Sequence, residues 1–175
     1  MWSPYRSTKT NPDARENHFI WTDSDRESIY LYGGCAEGNH PQPMCHTTLN
    51  KWNMTSRAWT ETTIVTPSAP KMKSIGAAFC VDNSGVVWEY GGKREQEEVT
   101  GSRPLSLLAS LSQTAGEWKW TPQTISGVPV PALTDATMTC VDNYLILFGG
   151  FTENGTYSNK IYVTSTNGPK AFEFV

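Results

Sequence analysis

Three Gly-Gly pairs, Gly33-Gly34, Gly91-Gly92 and Gly149-Gly150, are the only ones in the 175-residue chain, and they are spaced by 58 residues both times. Each directly follows an aromatic residue: Tyr32, Tyr90 and Phe148. Chance at this glycine content supplies about one such doublet, so the argument rests on the equal spacing. A constant period of this size marks a repeated supersecondary unit, and such a unit leaves few architectures open.

The flanks of the doublets read as strands. Ser28–Tyr32, Val86–Tyr90 and Tyr144–Phe148 are rich in the β-branched and aromatic residues that suit a pleated surface. Turns precede them at Asp23-Ser24-Asp25, Asp82-Asn83-Ser84-Gly85 and Asp142-Asn143, and further apolar stretches lie before those turns, at His18–Thr22, Ala77–Val81 and Met138–Val141. Three hairpins are expected. The tetrapeptide Cys-Val-Asp-Asn recurs at Cys80 and Cys140. A polar loop and a second strand pair follow each doublet: Thr47–Asn53 then Ala58–Thr60, Leu107–Ser112 then Trp118, and Lys160–Thr164 then Phe172. Leu105, Leu108 and Leu111 also fit one face of a short helix, but the repeat alignment requires a strand there.

Composition agrees with an all-β chain. Charged residues reach only 18%, against 14 glycines, 11 prolines and 11% aromatics, and the net charge is −3. These values argue against a coiled coil, a disordered tail or a basic nucleic-acid module. No apolar run approaches the roughly 20 residues that span a bilayer, and the start of the sequence is too polar for a signal peptide, so the chain reads as soluble.

A four-stranded unit repeated at about 40 to 60 residues is a propeller blade. On these residues the sequence resembles the kelch-repeat family of β-propellers across residues 17–175. Gly33-Gly34, Trp52-Asn53 and Trp59 stand where the family has Gly-Gly, Tyr-Asp and Trp; Gly91-Gly92, Leu111-Ser112 and Trp118 follow in the second repeat; Gly149-Gly150, Tyr162 and Phe172 follow in the third. The resemblance implies an all-β kelch-type propeller segment, with residues 1–16 as a connection or partial strand and blades at 17–73, 74–133 and 134–175. The doublets should let a strand end sharply beneath a large aromatic from a neighbouring element, with Trp59 and Trp118 packing between blades.

Known propellers close with four to eight blades, so three blades leave two apolar faces to cover. Either the chain is part of a longer six- or seven-bladed protein, the reading carried forward, or two copies close a ring of six.

Cys35 and Cys45 share one loop with His40 and His46. A disulfide closing that loop, a zinc site and free thiols are all open, with the disulfide as the working candidate. Cys80 and Cys140, on successive inner strands, are expected to be buried, unbonded residues. Asn53 and Asn154 begin N-glycosylation sequons. Together these features favour a secreted protein or an ectodomain, with the cytoplasm as the alternative.

No hydrolase elbow, phosphate-binding loop or His-x-x-x-His motif occurs, and no enzyme activity, metal or cofactor is expected. Strand alternation sends the loops after each doublet and the segments between blades to one side. Cys35–His46, Lys93–Arg103, Phe151–Tyr157, Thr63–Lys73 and Gln123–Thr134 would gather there. Long loops on a rigid scaffold are where binding resides, so Glu37, His40, Met44, His46, Arg94, Glu97, Arg103, Glu153 and Tyr157 are the candidate contacts for a protein partner. Two other functions are weighed. One is a secreted copper enzyme resembling galactose oxidase; the other is an extracellular carbohydrate-binding domain, which needs Tyr157 and Trp88 exposed.

Overall fold

The computed structural model describes residues 11–36, 44–65, 74–94, 104–168 and 170–174. The architecture is all-β, with no helix among the described residues, and divides into two compact units, Met1–Thr63 and Ile64–Val175.

The first unit holds β1 (Glu16–Thr22), β2 (Ser28–Ala36), β3 (Met44–Cys45), β4 (Leu49–Asn53) and β5 (Ala58–Thr62). Its antiparallel sheet runs β1-β2-β4-β5, with the short β3 paired to the end of β2. Side-chain oxygens shape the turns. Asp23 accepts the Ser28 N–H at 3.0 Å, and Asn53 accepts those of Thr55 and Ser56 at 3.1 and 2.7 Å. Such local acceptors offer the chain an exit from the ladder. On one face Trp21 stacks between Phe19 and Tyr30, with ring centroids 5.4 and 5.3 Å apart. The opposite face carries Ile20, Ile29, Trp52 and Trp59.

The second unit begins with β6 (Ile64–Val65), β7 (Ser74–Val81), β8 (Val87–Arg94), β9 (Leu108–Thr114) and β10 (Glu117–Gln123). It continues with β11 (Ser126–Gly127), β12 (Leu133–Thr134), β13 (Thr137–Val141), β14 (Tyr144–Phe148), β15 (Phe151–Thr152), β16 (Ile161–Ser165) and β17 (Lys170–Phe174). The second sheet is ordered β6-β10-β9-β8-β7 and the third β11-β17-β16-β14-β13, while β12 and β15 form a small ribbon. The leucine run therefore enters a strand. β6 and β11 add parallel edges to β10 and β17, drawn from chain that precedes each hairpin. A two-residue edge strand has no periodicity to betray it in a sequence.

Register corrects the expected equivalences. Ile29 faces Trp52, which faces Trp59; four residues before the next doublets, Val87 faces Leu111 and then Trp120, and Leu145 faces Thr164 and then Ala171. Trp120, not Trp118, is thus the counterpart of Trp59, and Tyr162 and Phe172 do not occupy the positions their spacing suggested. Trp118 is nevertheless buried.

The two sheets of this unit enclose one core of Ala78, Cys80, Trp88, Tyr90, Leu108, Leu133, Leu145, Leu147 and Tyr162. Cys80 and Cys140 are joined by a disulfide, with Cα atoms 5.6 Å apart, contrary to the expectation that they stay unbonded. That expectation treated them as equivalent. By register Cys80, opposite Trp88, corresponds to Thr139, opposite Ile146, so the two cysteines lie on opposite faces of their hairpins and meet across the interface.

The doublets also work differently from expectation. What a side chain would strike first there is backbone or a small group, not an aromatic ring: the Glu16 carbonyl and His18 Cβ at Gly34, the Leu133 carbonyl at Gly91, and the Thr134 carbonyl and Ala136 Cβ at Gly150. Positive φ at all six doublet glycines adds a conformational requirement. Gly91→Ala, meeting a fixed carbonyl at φ 76°, should cost about 2–4 kcal/mol. Gly85→Ala, at φ 80° with open space around it, should cost about 1 kcal/mol, and urea titration of both variants checks the difference.

Candidate interaction surface

The chain runs on from each doublet, still within β2 at Gly33-Gly34 and within β8 at Gly91-Gly92, and one hydrogen bond brings it back. The second glycine's carbonyl accepts the N–H of His46 at 2.8 Å, of Leu105 at 2.9 Å and of Ser158 at 2.9 Å, at Gly34, Gly92 and Gly150 respectively. The loop bases are therefore clamped although the loops differ in length and composition.

In the second unit these bases join one another. The Leu133 N–H donates to the Leu105 carbonyl at 3.3 Å, and Leu133 and Thr134 pair with Thr152 and Phe151. The loop after the second doublet, the segment entering the third sheet and the loop after the third doublet are thus hydrogen-bonded in sequence. The middle member is not a free binding loop as expected. Ala132 and Leu133 are buried, and the Tyr90 hydroxyl donates toward the carbonyls of Val130 and Pro131, at 3.1 and 2.8 Å. The end of this segment, Ala132–Thr134, serves the core, while Thr124, Ser126, Val128 and Pro129 are exposed.

At the third loop, Thr152 and Thr156 close a tight turn by a Thr152 N–H bond to the Thr156 carbonyl at 2.9 Å. Glu153 and Asn154 are exposed on it. Tyr157 is 86% exposed, its ring set edge-on to Phe151 with centroids 5.2 Å apart. In the first unit, Cys35 and Cys45 face each other across β2 and β3 and form a disulfide, which consumes both thiols that a zinc site would have used. Met44 beside them is 57% exposed. His46 lines a polar cleft of about 370 Å³ with Asp13, Arg15, Thr48, Asn50 and Glu61. The Arg15 guanidinium is fixed there by a 3.1 Å bond to the Gly33 carbonyl, and burial lowers its pKa while Asp13 opposes the shift. Sequence reasoning missed the companions of His46 because they come from three separate segments with no motif linking them.

Of the other expected contacts, Glu37, His40, Glu97 and Arg103 lie outside the described residues, as does most of Thr63–Lys73, and Arg94 ends β8. Asn53 uses its side-chain oxygen in its own turn, whereas Asn154 stands clear. Trp88 is 5% exposed, with its indole N–H donating to Asp82 at 2.8 Å, so it is closed to a sugar. Among the described residues, no three His, Cys, Asp or Glu side chains group as metal ligands.

No family model and no curated protein matches the chain. It is similar to the solved structure of YjhT at 14% identity and a TM-score of 0.69, over 92% of this chain and 52% of that one. The likeness is one of fold, consistent with a β-propeller, and this chain spans about half the length of that neighbour.

Two measurements check the scaffold. Intact-mass analysis after alkylation without reductant should show no labelled thiol. In the chain-entropy description, breaking the ten-residue Cys35–Cys45 span should cost about 3 kcal/mol and the sixty-residue Cys80–Cys140 span about 4 kcal/mol. Burial, reinforced by Tyr162, raises the Tyr90 phenol above its ordinary pKa. The folded state thus holds that proton more tightly than the unfolded one. Its contribution is complete below about pH 10 and is lost as pH rises beyond it, by up to about 1.4 kcal/mol per unit, and Tyr90→Phe should flatten that alkaline slope.

Proposed function

We propose that the chain is a non-enzymatic protein-interaction module of the kelch-propeller kind, its sheets acting as three blades of a ring that needs further blades to close, and that it binds through the loops after the diglycines. The observation that carries this reading is the hydrogen-bonded row of loop bases from Gly92 through Leu105 and Leu133 to Phe151, which presents Tyr157 and Glu153 from a fixed footing. Fixed loops bind with little ordering cost, and an exposed Tyr is a common anchor. Two disulfides suit an oxidising compartment, so we place the protein on the secretory route or in an ectodomain. Among the described residues no helix is long and apolar enough to cross a membrane.

The Tyr157–Phe151 pair also supports the carbohydrate reading, since an exposed ring held by a second ring is a platform for a sugar face. The copper-enzyme reading has no comparable support among the described residues.

The test immobilises the parent chain, a loop variant carrying Met44→Ser and Tyr157→Ser, and a control with Asn83→Ser in a hairpin turn. Each is exposed to secreted proteins of the source organism and to a glycan array. A defined protein should be retained by parent and control and lose at least about tenfold in affinity for the loop variant, the effect of removing one anchor. Equal retention by all three would overturn the reading, and a glycan hit sensitive to Tyr157→Ser would replace it with the second.

A further inference from the structure

The turn after the third doublet closes without help from its asparagine. The Thr152 N–H donates to the Thr156 carbonyl at 2.9 Å, the Gly155 N–H to the Thr152 carbonyl at 3.1 Å, and the Thr156 N–H to the Thr152 hydroxyl at 3.3 Å. An asparagine in a turn is ordinarily there because its side chain bonds the neighbouring backbone. Asn53 does so: it is half-buried and accepts two N–H groups, and the β4–β5 turn accounts for its presence. The exposed Asn154 side chain bonds to none of the described residues. Local structure therefore supplies no reason for an amide at this position.

The surroundings of Asn154 suit a large substituent. Glu153 through Tyr157 are all exposed, and nothing lies within 4 Å of the point where a Cβ at Gly155 would sit. Asn154-Gly155-Thr156 is an N-glycosylation triplet. Phe151 and Tyr157 face each other across the neck of the turn, with ring centroids 5.2 Å apart, and so bracket the triplet with an apolar surface. The C–H face of a pyranose packs on rings held in this way. Ring, amide and hydroxyl thus share one short turn.

We propose that Asn154, and not Asn53, carries an N-linked glycan whose first sugar rests on the Phe151 and Tyr157 rings. The proposal rests on the secretory-route reading above and is independent of any protein partner at the loops. That route supplies an oligosaccharide on a lipid pyrophosphate. The bond from the sugar C1 to the pyrophosphate oxygen breaks, a bond from C1 to Asn154 Nδ2 forms, and the Nδ2 proton goes to the departing lipid pyrophosphate. Attachment takes place on the emerging chain, so the folded turn need only leave room for the product. Here it also offers the first sugar a surface to lie on.

The experiment expresses the full chain behind a leader that directs it into the secretory route of a eukaryotic cell, together with Asn154→Gln and Asn53→Gln. Intact mass before and after treatment with an N-glycan amidase should show one oligosaccharide on the parent and on Asn53→Gln, and none on Asn154→Gln. The released parent should bear its deamidation mark at position 154. Alkylation of the same samples without reductant reads the disulfides separately. Closed disulfides without sugar would overturn this proposal alone, whereas open thiols would overturn the compartment reading and the proposal with it. For the ring contact, Asn154→Gln should melt about 2–4 °C below the glycosylated parent, the shift expected of one aromatic contact in a chain of this length. Amidase treatment of the folded parent should lower its melting temperature equally. Neither change should have an effect in a Tyr157→Ser background. Equal losses in both backgrounds, or a sugar at Asn53, would overturn the proposal.

Discussion

The close approach of backbone to backbone at the diglycines is the constraint from which the rest of this structure follows. The carbonyls of Leu133 and Thr134 lie where a side chain at Gly91 or Gly150 would have to be. Only a residue without Cβ, and free to take positive φ, lets a strand pass another chain segment at that distance. Beside that approach the second glycine's carbonyl is turned toward the returning chain, and the N–H groups of His46, Leu105 and Ser158 bond to it at Gly34, Gly92 and Gly150 in turn. The close passage and the clamped loop base share one steric allowance.

That allowance explains why the architecture was largely legible in the sequence and the side-chain details were not. The hairpins fall where turn chemistry and β-rich runs place them, at Asp23, Asp82 and Asp142, because both signals are local. Register is not local. Trp118 and Trp120 both lie two residues or fewer from the expected position, and a slip of two preserves the face while moving the partner, so spacing alone could not choose Trp120 as the counterpart of Trp59. The Cys80–Cys140 bond was missed for the same reason, since identical tetrapeptides suggested equivalent positions while the turns that follow them differ in length.

The candidate surface was legible in part. Loop position follows from strand alternation, which brought Met44, His46, Glu153 and Tyr157 into view. Burial of Ala132 and Leu133 in the connecting segment was not foreseeable, because a proline-bearing stretch reads as surface until something is seen to pack on it. The cleft beside His46 depends on Arg15, reaching from the approach to β1 to a glycine carbonyl eighteen residues away. No pattern in the chain records such a bond.

The parallel edge strands have a consequence for how such a chain is divided. β6 and β11 are spun from the residues ahead of the hairpins whose sheets they complete, so each of these sheets draws its outer edge from the stretch that links it to the sheet before. A self-contained module excised from this protein would have to begin before Ile64 or before Ser126. A cut placed at the hairpin, where the glycine spacing invites it, would strip the outer thread from the sheet and leave a raw edge open to aggregation.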